Sequence, residues 1–253
     1  RMACVLFTHP AQARPWFTAG LRREQVRVVI ETSTRIPRLP RPRVADRTLL
    51  GDPACVLVGR LHPVKDPLTA LTAFALLAEA VPSARLHVFS GSDVFGGPPP
   101  ALGCSVPVWA GRVVLHDYTK SRYLAAFLSA ADLLLQASRR EWSSLSVLEA
   151  LATGVVPVVT DIPALRALTD DGRVGRLVPV GDARAMADAA IALAVHRADL
   201  ERLSLAGRAD FDARLSFRAL AREIASVYGE VVADLAASRR WPSGNRTRRP
   251  PAS

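Results

Sequence analysis

The sequence predicts an α/β fold built on a doubly wound, Rossmann-like parallel sheet. Three features carry that prediction: short Val- and Leu-rich runs without polar alternation, helical periods between them, and Gly or Pro at the joints. ACVLVG (54–59) reads as the first buried strand of the body. DPLTALTAFALLAEAVP (66–82) is the helix that follows, with Pro67 in the first turn, where a missing N–H loses no hydrogen bond. ARLHVFSG (84–91) and GRVVLHD (111–117) are the second and third strands, and the chain between 92 and 110 is too rich in Gly and Pro for regular structure. TKSRYLAAFLSAA (119–131) returns to a helical period, DLLLQAS (132–138) is the fourth strand, LSVLEALATG (145–154) is a helix ended by Gly154, and VVPVVTD (155–161) is the fifth strand. GRLVPVGD (175–182) adds a short extended segment, and helices over 183–196, 200–210 and 216–237 close the unit. Strands of this kind are covered on both faces, so ligand chemistry is expected at their carboxyl ends.

Composition narrows the class. With 253 residues and 49% apolar content the chain can bury a full core in one or two domains. No apolar run approaches the roughly 18 residues needed to cross a bilayer, and the early stretch from Met2 to Phe7 is too short for a signal-peptide core. A soluble, cytoplasmic protein is expected, and a start at Arg1 within a strand-like stretch suggests a fragment or a processed chain. Cys4, Cys55 and Cys104 are far apart and odd in number, which fits buried thiols rather than a disulfide framework or a metal site.

The net charge of +10 sits at the ends of the chain. Residues 1–50 hold ten arginines against Glu24, Glu31 and Asp46, residues 238–253 hold five arginines and no acid, and the body between them is slightly negative. A basic nucleic-acid-binding face on the body is therefore not expected. The Pro-rich basic tail reads as disordered and solvated, with contact to an anionic membrane surface or nucleic acid as its alternative role.

What falls at the strand ends carries the chemistry. In GRLHPVKD, Arg60 follows Gly59 directly, and Lys65 comes five residues later, just before a helix N-terminus. A guanidinium, an ammonium and a helix N-terminus on one spot suit a multiply charged anion. After the fourth strand, REWSSLSVLEALATG (140–154) places Glu141 and Glu149 eight positions apart. A wholly helical segment of that length spans about 12 Å at 1.5 Å per residue, comparable with a nucleotide sugar. One carboxylate is then placed to accept hydrogen bonds from a ribose and the other from a hexose, with a diphosphate between them. Asp117 and Tyr118, just past the third strand, either border a nucleobase or belong to a plain loop.

The ordered set VGRLHPVKDPLTALTAF, the Glu141–Glu149 pair, EALATGVVPVVTDI and GRLVPVGD resembles the C-terminal nucleotide-sugar-binding domain of family 4 glycosyltransferases, which have the GT-B fold. The resemblance covers about 54–195. It implies that Arg60 and Lys65 neutralise the donor diphosphate, that Glu149 binds the nucleotide ribose, and that Glu141 faces the donor sugar, so that Glu141, Arg60 and Lys65 form the catalytic group. It further implies donor contacts from Gly59, Ser143, Ser144 and Leu145, a retaining reaction without a site metal or other cofactor, a nucleotide sugar as donor, and a glycan, lipid or small-molecule acceptor. Residues 1–50 then correspond to the remnant of an N-terminal acceptor domain and its linker, 51–237 to the donor domain, and 238–253 to the tail.

Two departures stand out. The family pattern Gly-Phe-Gly-Leu is replaced by Trp142-Ser143-Ser144-Leu145, which puts side chains where glycines let backbone N–H groups approach the donor. The chain is also too short to hold a full acceptor domain, which leaves a non-catalytic nucleotide-sugar-binding module as the alternative function. Plainer roles stand beside each candidate: Ser146 and Glu149 form a capping-box pattern, Glu141 can be a solvated loop acid, Arg60 and Lys65 can be surface charges, and His62, His87 and His116 read as structural.

Overall fold

In the computed structural model, the described residues are 4–32, 49–90, 111–117 and 124–238. The chain divides into two compact units, Ile30–Leu220 and a second one made of Arg1–Val29 with Ala221–Ser253. The division falls inside the last helix, α8 (Phe217–Ser238), which the sequence predicts as one element over 216–237.

The larger unit holds six strands: β3 (Ala54–Val58), β4 (Arg85–Ser90), β5 (Val113–Asp117), β6 (Leu133–Gln136), β7 (Val156–Thr160) and β8 (Arg176–Val178). All pair in parallel, in the order β5-β4-β3-β6-β7-β8. Successive side chains of a strand face opposite ways, so uninterrupted apolar runs fill two cores at once. Cys55, Leu57, Leu133 and Leu135 pack against α2 (Pro67–Ala80) and α6 (Ala183–Val195). Ala54, Val56, Leu134 and Val159 pack on the other face with α3 (Leu124–Ala130), α4 (Leu145–Thr153) and α5 (Pro163–Leu168). The doubly wound expectation is met strand for strand.

Differences lie at edges and in short pieces. PALRAL, the short helix α5, carries no helical signature in the sequence, because six residues hold too little of a helical period to register. The helix expected from Leu200 starts at Arg197, giving α7 (Arg197–Asp210), and a π turn at Phe211–Leu215 links it to α8. Of the helix expected over 119–131, residues 119–123 lie outside the described residues, as do Tyr118, the Gly- and Pro-rich stretch from 91 to 110 with Cys104, and the tail. Cys55 is fully buried, and burial with Asp132 nearby raises its thiol pKa, as expected of an inert core thiol.

The smaller unit contains a parallel pair, β1 (Val5–Phe7) with β2 (Val26–Val28), and the short helix α1 (Arg14–Thr18) between them. Arg27 forms an ion pair with Glu230 of α8 at 3.0 Å. Among the described residues no helix is long and apolar enough to cross a membrane.

Gly154 ends α4 as expected, in the left-handed region at φ +81°. A Cβ there lies 2.9 Å from Ser204 Oγ, which donates to the Gly154 carbonyl at 2.6 Å. Gly154→Ala is therefore expected to cost about 1–3 kcal/mol through backbone strain, read as a lower urea midpoint with an unchanged slope. Unchanged stability would show that the turn relaxes at no cost.

Candidate functional site

The connections leaving β3 and β6 run to opposite faces of the sheet, since α2 covers one face and α4 the other. Such a reversal opens a crevice between the carboxyl ends of the two strands. A cleft lies there, and Val58, Gly59, Arg60, Lys65, Gln136 and Ala137 are among its lining residues. Gly59 takes φ +136°, a conformation that disfavours any side chain even though the space beside it is open. Arg60 is exposed, and its guanidinium makes no hydrogen bond or ion pair with the described residues.

Lys65 and Glu141, predicted separately, meet here as an ion pair between Nζ and Oε1. Glu141 Oε1 also accepts from Ser138 Oγ at 2.8 Å and from Gln136 Nε2 at 3.1 Å. With its side chain only 8% exposed, Glu141 is not a solvated loop acid. A second link ties the same two loops: Arg139 pairs with Asp66 at 2.7 Å, and its backbone N–H donates to the Val64 carbonyl at 2.9 Å.

The two helix N-termini near the cleft are not equivalent. Asp66 is the N-cap of α2, and its carboxylate accepts from the Thr69 N–H at 3.4 Å. An anion of the protein's own thus serves the helix end that the sequence reading offered to a ligand. The N-terminus of α4 differs: Ser144 is its N-cap but makes no side-chain capping bond. Ser144 Oγ donates instead to Gln136 Oε1 at 3.1 Å, and Ser146 Oγ does so at 2.7 Å. The capping-box reading of Ser146 and Glu149 fails for this reason, because the helix starts at Leu145 and the Ser146 hydroxyl is drawn to β6. The first-turn N–H groups of α4 accordingly remain available to an anion.

Glu149 lies in the second turn of α4, and Glu141 lies in the loop before it, so a helical rise does not measure their separation. Glu149 is partly buried, and its carboxyl has no hydrogen-bond or ion-pair partner among the described residues. Desolvation alone raises its pKa to about 7. Of the other candidates, Ser144 is buried, Leu145 is exposed at the helix start, and the Ser143 hydroxyl is buried without a partner among the described residues. Trp142 is 49% exposed. Tyr118 falls outside the described residues.

Gln136, Ser138, Asp66 and Arg139 were not singled out in the sequence. The signal for Gln136 and Ser138 was two polar residues closing an otherwise apolar strand. The histidines are structural, as expected: His87 Nε2 donates to the Leu50 carbonyl at 2.9 Å, and its Nδ1 accepts from His116 Nε2 at 2.9 Å. Burial lowers the pKa of both, which keeps the pair neutral. His62 caps the turn at Pro63–Lys65 through Nδ1.

A sequence model of the family described as glycosyl transferases group 1 matches residues 52–196. Among curated proteins, D-inositol 3-phosphate glycosyltransferase of Thermobispora bispora is 31% identical over 208 residues, covering 76% of this chain and 47% of that protein. Phosphatidyl-myo-inositol mannosyltransferase of Mycobacterium leprae is 40% identical over 85 residues, covering 34% of this chain and 22% of that protein. The chain therefore spans less than half the length of either relative. In fold it is similar to the Anabaena protein HepE solved with UDP, at a TM-score of 0.73 and 16% identity over 90% of this chain and 64% of that one. It is also similar to the C-terminal domain of a glycosyl transferase group 1 family protein of Francisella tularensis, with a TM-score of 0.62, 16% identity, and coverage of 74% of this chain and 100% of that domain.

The raised Glu149 pKa has a definite sign in stability. Below pH 4.5, the ordinary value, the carboxyl is neutral folded or unfolded; above about pH 7 it is ionised in both states and carries its full desolvation penalty when folded. Stability contributed by the neutral group is thus lost as pH rises from 4.5 to about 7. Glu149→Gln is expected to be more stable than wild type by about 1–3 kcal/mol at pH 8 and to lose most of that advantage at pH 4.5. Urea unfolding at the two pH values measures the difference, and a pH-independent difference would refute the desolvation account.

Proposed function

Because this chain belongs to the glycosyl transferases group 1 family, we propose that its larger unit is the donor-binding domain of a retaining glycosyltransferase, one that moves a sugar from a nucleotide diphosphate sugar to a hydroxyl of a glycan, lipid or small molecule. The observation that carries this reading is the cleft at the β3–β6 reversal. Arg60, with no ion pair among the described residues, and Lys65 line it together with Gln136, which is hydrogen-bonded to the serines at the uncapped start of α4, the helix that carries Glu149 in its second turn. Solved neighbours crystallised with UDP support the choice of ligand class.

Each group has a task that its chemistry suits. Cleaving a glycosyl–phosphate bond places negative charge on the departing diphosphate, and fixed positive groups lower the barrier by stabilising that charge. In this reading Arg60, Lys65 and the N–H groups at the start of α4 do so in place of a metal ion, and the backbone at Gly59 lets the phosphates come close. Glu149 accepts hydrogen bonds from the paired hydroxyls of the ribose. Those donors favour the ionised carboxyl, so nucleotide binding releases a proton near neutral pH. Glu141 faces the donor sugar and holds Lys65 until the diphosphate arrives. We place the protein in family 4 and in the cytoplasm, where nucleotide sugars are the donors for glycan biosynthesis.

Calorimetry with UDP, GDP and ADP tests the site. Arg60→Ala is expected to weaken the nucleotide that binds by about 1.5–3 kcal/mol, the loss of a charged hydrogen bond; unchanged affinity removes Arg60 from the site.

The two glutamates separate by ligand. Glu149→Gln weakens the free nucleoside and abolishes proton release, whereas Glu141→Gln leaves nucleoside affinity unchanged and acts only on the sugar-bearing donor. Effects of both on melting temperature alone would make the carboxylates structural. Donor binding without acceptor-dependent release of nucleoside diphosphate would favour the second reading, a non-catalytic binding module, which the internal neutralisation of Lys65 by Glu141 supports.

A further inference from the structure

Gln136 closes β6 at the floor of the cleft, is buried, and is joined by hydrogen bonds to four side chains from the two segments that follow it. Its amide nitrogen donates to Glu141 Oε1 at 3.1 Å and to Ser138 Oγ at 3.2 Å; its amide oxygen accepts from Ser144 Oγ at 3.1 Å and Ser146 Oγ at 2.7 Å. The orientation is chemically forced. Turned over, the amide would set its carbonyl oxygen against the Glu141 carboxylate, which has no proton to offer. Glu141 fixes the amide, and the amide then presents an acceptor that draws both serine hydroxyls away from the helix end they would otherwise cap.

We propose that Gln136 is a positioning residue that couples the Lys65–Glu141 ion pair to the N-terminus of α4, so that the ammonium lining the cleft and the uncapped N–H groups at the start of that helix are set together for the phosphates of one ligand. The proposal rests on reading the cleft as a nucleotide diphosphate site. It also gives a role to the departure at Trp142-Ser143-Ser144. Ser144 stands where the family pattern has its second glycine, and its hydroxyl is committed to Gln136. The same bond keeps the Ser144 oxygen off the N–H groups of the first turn, so the helix end remains open to a ligand although a serine is its N-cap.

The test compares wild type, Gln136→Leu and the double variant Ser144→Ala/Ser146→Ala, which cuts the same link from the helix side without touching the core residue. The probes are the nucleoside diphosphate among UDP, GDP and ADP that binds wild type most tightly, together with its free nucleoside. Both variants are expected to bind the diphosphate about tenfold more weakly, the worth of one or two hydrogen bonds, and to bind the nucleoside as wild type does. A merely structural role would lower both affinities together or move only the melting temperature. The second readout needs no ligand. The chain has two lysines, so reductive methylation with labelled formaldehyde gives a Lys65 resonance that Lys65→Arg assigns. In Gln136→Leu that resonance is expected to move toward its position in Glu141→Gln. Equal weakening of nucleoside and diphosphate, or a Lys65 resonance that stays at the wild-type position, overturns the proposal. Absence of any nucleotide binding to wild type overturns the site reading itself, and the proposal with it.

Discussion

The constraint on which this structure depends is that β3 and β6 are buried on both faces. A strand between two apolar layers has no room for polar side chains along its length, since an unpaired polar group there loses its hydration without compensation. Polar chemistry is thereby pushed to the strand ends. At the amino edge this yields structure: Asp132 accepts from the Ala54 N–H at 2.9 Å and lies 3.8 Å from Arg197, fixing the start of both central strands. At the carboxyl edge, where the two connections part, it yields a cleft.

The two glutamates that follow β6 in the chain are held in opposite ways. Glu141 is buried with an ammonium and two further donors on one oxygen, so it is held in place. Glu149 is partly buried with no donor among the described residues, and desolvation raises its pKa to about 7. A desolvated carboxylate without donors is unfavourable, and that cost falls wherever hydrogen-bond donors reach it. Two residues of the same type thus meet different environments, one carboxylate satisfied by three donors and the other without a donor among the described residues. The same contrast marks the helix ends, since Asp66 serves α2 while α4 has no side-chain cap.

Serines at Ser144 and Ser146 show how a local preference is overridden. Serine at or near a helix start ordinarily bonds to the free N–H groups, and the sequence pattern with Glu149 three residues after Ser146 reads as such a cap. Gln136 offers both hydroxyls a neutral amide oxygen instead, at distances of 3.1 and 2.7 Å. That oxygen is set by a carboxylate five residues further on, whose own place is set by a lysine 76 positions earlier in the chain. No window of local sequence contains all of these groups.

The sequence by itself determined the strands and long helices of the larger unit, the Gly154 stop, and the positions of Gly59, Arg60, Lys65 and Glu141 in the segments that follow two strand ends. Each of these follows from periodicity or from a residue's own backbone limits, which act over a few neighbours. It did not reveal the six-residue helix α5, too short to show a period, and it offered an N-terminus of α2 that Asp66 already serves. The tertiary structure alone decided that Lys65 and Glu141 neutralise each other, that Gln136 joins them to α4, and that Glu149 has no partner among the described residues. Those outcomes depend on which strand lies beside which. That order is set by how two apolar layers close over the sheet, and contacts between residues far apart in sequence follow from it.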